Sequence, residues 1–61
     1  MTAQETATRI ATIYGGTNAA ARAIGINRAS LSRIISGQVQ AGGSLEAHLA
    51  RALRQAEEAQ E

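Results

Sequence analysis

The sequence predicts an all-α fold, a compact bundle of four helices, on three observations. It contains no proline and a single aromatic residue, Tyr14. No segment alternates apolar and polar residues with period two, and valine occurs only at Val39, so strands have little support. Apolar residues recur instead at three- and four-residue spacing, in blocks separated by glycine.

Each block reads as one helix. The first runs from about Ala3 to Tyr14, with Ala7, Ile10, Ala11 and Tyr14 on one stripe, and Gly15-Gly16 stops it because glycine takes the left-handed cap conformation cheaply. Thr17 is placed to cap a second helix, Thr17 to Ile24, whose apolar residues Ala20, Ala21 and Ile24 share one side and which ends at Gly25. Asn27 can cap a third, Arg28 to Ser36, closed by Gly37. The loop "QVQAGG" then leads to Ser44, the expected cap of a fourth helix reaching about residue 57. Its Leu45, Leu49, Ala52, Leu53 and Ala56 form an apolar face.

A chain of 61 residues is read as one domain, residues 1–61, with a thin core in which alanine supplies much of the apolar content. There is no cysteine, hence no disulfide framework and no thiolate metal site, and oligomerisation becomes the expected further source of stability. No apolar stretch approaches the roughly 18 residues of a membrane span and no charged segment leads into an apolar run at the N-terminus, so the sequence reads as cytoplasmic.

The net charge of +1 hides a division along the chain. Residues 1–43 carry four arginines against one glutamate, whereas residues 44–61 carry two arginines against four glutamates. Every basic residue is arginine, whose planar fork suits phosphate and guanine better than a lysine point charge does.

Only Gly25, Ile26 and Asn27 separate the second and third helices, so that pair must turn sharply and pack closely. Ala21 leaves room at the meeting point, Gly25 permits positive φ, and Ile26 plugs the corner. On the third helix Leu31, Ile34 and Ile35 fall on one side, and Ala29, Ser32, Arg33 and Ser36 on the other. A helix presenting short side chains with an arginine, and a second arginine at its N-terminal end, has the shape and donors to lie in a DNA major groove.

With those residues in hand, Thr17 to Gly37 resembles the helix-turn-helix of small Cro-like phage repressors and HigA-type antitoxins, in the spacing of Ala21, Gly25, Leu31, Ile34 and Gly37. The stretch "GINRASLSRI" is also similar to the Fis-type motif, but here "SGQVQAGGSLEAHLARAL" continues into another helix, as in the Cro and HigA group. The resemblance covers about Thr17 to Leu53 and implies a lambda-repressor-like fold. It implies that Arg28, Ala29, Ser32 and Arg33 read bases, and that Thr17, Asn18 and Asn27 position the DNA backbone. Arg22 and Gln38 are further candidates for backbone contact, although a solvated surface charge and ordinary loop polarity explain them almost as well. Many relatives open the second helix with glutamine, where this chain has Thr17, so a phosphate there would meet a hydroxyl and backbone N–H groups.

The function these readings imply is a sequence-specific transcriptional regulator, a repressor that binds a palindromic operator in double-stranded DNA as a homodimer. The expected dimer surface is the fourth helix, through Leu45, His48, Leu49, Ala52, Leu53 and Ala56. The alternative is an antitoxin-like or anti-repressor-like module whose acidic fourth helix binds a toxin or another regulator. Catalysis is not expected: His48 is the only histidine, no local base accompanies Ser30 or Ser32, and the glycines form neither a P-loop nor a dinucleotide fingerprint. No cofactor, metal or membrane partner is implied.

Overall fold

The computed structural model describes residues 1–60. Within them four helices follow one another: α1 (Ala3–Tyr14), α2 (Thr17–Ile24), α3 (Arg28–Ser36) and α4 (Gly43–Ala59). Helix α1 packs against all three others, and α2 also packs against α3. Among the described residues there is no strand, and no helix is long and apolar enough to cross a membrane.

Helix α1 starts on a capping box formed by Thr2 and Glu5, a signal the sequence reading passes over. The Thr2 hydroxyl accepts from the Glu5 N–H at 3.1 Å, and the Thr2 N–H donates to the Glu5 carboxylate at 3.2 Å. The hydrogen bonds from the Thr2 backbone and side chain hold the Glu5 carboxyl below its ordinary pKa of 4.5. Because the folded-state pKa is lowered, the stability this carboxylate contributes is complete above the ordinary carboxylate range and is lost as pH falls through the lowered value. Thermal melts of the parent and of Glu5→Ala are therefore expected to differ at neutral pH and to converge on acidification. A constant difference across the range would show that the carboxylate cap contributes nothing.

The first turn departs from expectation in one detail. Gly16, not Thr17, is the N-cap of α2, with φ at 150°, and Thr17 is the first helical residue. Only two residues separate α1 from α2. Gly16 donates to Ala11 O at 2.8 Å to close α1, and its own carbonyl accepts from the Ala20 N–H to open α2. That double duty needs a backbone conformation open to glycine, and it leaves no place for a threonine cap.

The α2–α3 turn matches its expectation. Gly25 is left-handed at φ 78°, and Asn27 caps α3 by accepting from the Ala29 N–H at 2.8 Å. A Cβ added at Gly25 would meet nothing within 4 Å, so a substitution there is penalised by backbone conformation alone. Gly25→Val is expected to cost about 1–3 kcal/mol, read by chemical denaturation, and a variant as stable as the parent would contradict the turn.

Ile10, Leu31, Ile34 and Leu49 are the largest fully buried side chains, filled in by Ala7, Ala20, Ala21, Ala52 and Ala56. Ile24, Ile26 and Ile35 pack partly buried against them. Tyr14, expected on the inward stripe of α1, is 37 % exposed, and Thr6 takes a buried place by donating its hydroxyl to Thr2 O at 3.0 Å. Helix α4 begins at Gly43 on a Gly42 N-cap without a side-chain cap, so Ser44 lies inside the helix.

The apolar face of α4 corrects the expected dimer surface. Leu49, Ala52, Leu53 and Ala56 are between 0 and 6 % exposed within a single copy of the chain. They are the core's closing wall, and a second copy cannot reach them. Leu45 is partly buried against the same core, and His48 is half-buried with its ring nitrogen bonded to Ile24 O at 2.8 Å. In so small a body α4 must cover the part of α1 that α2 and α3 leave open, so the whole stripe, and not only part of it, is consumed by folding.

Candidate nucleic-acid interface

The outward side of α3 is built by its helical period. At roughly 100° per residue, Ser32, Ser36 and Ala29 fall between Arg28 on one flank and Arg33 on the other. All five are exposed, while Leu31 and Ile34 hold the opposite side in the core. Short side chains thus form the floor and two guanidinium groups the rims.

Helix α2 completes the surface. Thr17 and Asn18, in its first turn, face Arg28, Ala29, Ser32 and Arg33 across an open groove of about 490 Å³. Six of the residues singled out in the sequence therefore converge on one place. Arg22, Asn27 and Gln38 do not line that groove, though all three are exposed. Asn27 spends its side-chain carbonyl on the α3 cap, and Gln38 lies beyond Gly37, where its N–H donates to Arg33 O at 2.9 Å.

The electrostatics of the groove are one-signed. From Thr17 to Ser36 the chain carries Arg22, Arg28 and Arg33 and no carboxylate. The α2 N-terminus points the same way, since its Gly16 cap supplies no side-chain acceptor for the first N–H groups. Free N–H groups with the positive end of the helix dipole suit an anion, and guanidinium groups nearby add to that preference.

Two residues that position this unit escape a reading of the sequence. The Gln4 amide on α1 donates to Ile35 O at 3.0 Å, in the last turn of α3, and His48 on α4 donates to Ile24 O at 2.8 Å, at the end of α2. Each scaffold helix therefore holds the C-terminal end of one helix of the pair. Gly37 belongs to the same arrangement, because a Cβ there would come within 3.2 Å of the Gln4 amide. Nothing local in the sequence marks Gln4: its partner lies 31 residues away.

Comparison with protein-family models, with curated proteins and with solved structures gives no match. Among the described residues no group of three or more His, Cys, Asp or Glu side chains is placed to hold a metal ion.

Proposed function

We propose that this chain is a sequence-specific binder of double-stranded DNA, a helix-turn-helix repressor that occupies a palindromic operator as a homodimer. The observation that carries this reading is the convergence of Thr17 and Asn18 with the Arg28–Ala29–Ser32–Arg33 face in one groove free of carboxylates. Short residues at the centre of α3 let the helix approach base edges closely. Arg33 then presents its fork to the O6 and N7 of a guanine, and Arg28, in the first turn, reaches either a base edge or a phosphate. The Thr17 hydroxyl, the Asn18 amide and the uncapped N–H groups of α2 take a backbone phosphate and fix the register.

A single α3 reads only a few base pairs. Useful specificity calls for two copies on half-sites one DNA turn apart, roughly 34 Å. Selection of bound duplexes from a random pool tests the proposal: enrichment of an inverted repeat with half-sites about 10 base pairs apart is expected. A pool that stays random through successive rounds, with equal affinity for every duplex, overturns sequence-specific recognition.

A further inference from the structure

The α2–α3 groove holds one side chain with neither donor nor acceptor. Thr17, Asn18, Arg28, Ser32 and Arg33 each bring polar atoms to it, whereas Ala29 brings a methyl group. Its backbone N–H adds no donor, because it is spent on the Asn27 side-chain carbonyl at 2.8 Å in the α3 cap. The same bond fixes where the methyl group stands, exposed in the first turn of α3. Ala29 precedes Arg33 by four residues, so the two share a side of the helix, about 40° apart in direction and roughly 6 Å apart along the axis.

We infer that Ala29 reads the 5-methyl group of a thymine close to the guanine taken by Arg33. The inference rests on the DNA-binding reading and goes further, since it names a second base of the half-site and the group by which that base is known. A base edge that loses water against a methyl group keeps no partner for its donors and acceptors, and such a burial is unfavourable. Of the four bases, thymine alone adds a methyl group to the donors and acceptors displayed in the major groove. Ala29 therefore sorts the bases it faces: thymine gains an apolar contact, and the other three only lose hydration. Ser32, the short residue between Ala29 and Arg33, keeps a hydroxyl that calls for a polar partner and cannot make the same choice. Base pairs rise roughly 3.4 Å, so a side chain about 6 Å from Arg33 along α3 meets a base pair one or two steps from that guanine.

Replacing thymine by deoxyuridine removes the methyl group and leaves base pairing and the O4 acceptor unchanged. The probes are copies of the selected duplex in which the thymines within two base pairs of the Arg33 guanine are replaced one at a time in one half-site. That guanine is located as the base pair at which Arg33→Ala relaxes preference. For the parent chain one replacement is expected to weaken binding about fourfold, the worth of one buried methyl group, and the others to have no effect. Ala29→Gly is expected to bind the thymine and deoxyuridine duplexes alike while keeping the preference for guanine. The scan on the parent needs no variant, and circular dichroism reports whether Ala29→Gly keeps its helices. Three results overturn the inference while leaving sequence-specific binding in place. They are a selected site with no such guanine or no thymine near it, a parent indifferent to every replacement, and an Ala29→Gly variant that keeps the parent's preference for thymine over deoxyuridine. A pool that stays random overturns both the inference and the reading on which it rests.

Discussion

Replacing Leu49 by alanine is expected to destabilise the chain by about 2–5 kcal/mol, the cost of a cavity at a buried leucine. Leu49 is fully buried and belongs with Ile10, Leu31 and Ile34 among the largest side chains in that state. A domain of this size has a total stability of roughly 3–9 kcal/mol, at 0.05–0.15 kcal/mol per residue, so the loss is of the same order as everything that holds the fold together. Surrounding alanines have no reach with which to fill the space. Urea denaturation followed by circular dichroism, at several protein concentrations, reads the effect. A large loss that is the same at every concentration is expected, because Leu49 closes the core of one copy. A loss that grows on dilution, with the monomer itself unaffected, would return Leu49 to the dimer surface that the apolar pattern suggests.

The second large effect concerns the two arginines on α3. Arg33→Ala is expected to cost about 1–3 kcal/mol on the selected duplex, to relax preference at one base pair per half-site, and to leave binding to scrambled duplex much less affected. Arg28→Ala separates two geometries. If its guanidinium holds a phosphate, affinity falls on all duplexes alike and the salt dependence drops by about one unit; if it reads a base, the variant behaves like Arg33→Ala. Both side chains are exposed, so neither variant should unfold the chain, and thermal melting serves as the control. Unchanged affinity for both variants would remove α3 from the groove.

Local signals in the sequence are legible where local physics decides. Gly15, Gly25 and Gly37 end α1, α2 and α3 in left-handed caps, Asn27 caps α3, and the α3 period sorts Leu31 and Ile34 from Arg28, Ala29, Ser32 and Arg33. Caps mislead where a turn has no residue to spare, as at Gly16, or where the helix extends past the best capping side chain, as at Ser44. The face of α4 misleads for a different reason. Periodicity shows that Leu49, Leu53 and Ala56 share a side, but not whether that side meets α1 or another chain, and the choice depends on how much core the rest of the fold leaves uncovered. The Gln4 and His48 contacts lie further out of reach, since each joins side chain to backbone over more than 20 residues and carries no pattern.

The proposed function stands or falls with the α2–α3 groove as the surface that meets DNA. An NMR titration of the isotopically labelled chain with the selected duplex, following backbone amides and arginine side chains, probes that contact residue by residue. The largest shifts are expected at Thr17, Asn18, Arg28, Ala29, Ser32 and Arg33, with the far end of α4, Glu57 to Ala59, unmoved by DNA. Shifts confined to α4, or none anywhere at a saturating duplex concentration, would contradict DNA binding through this groove.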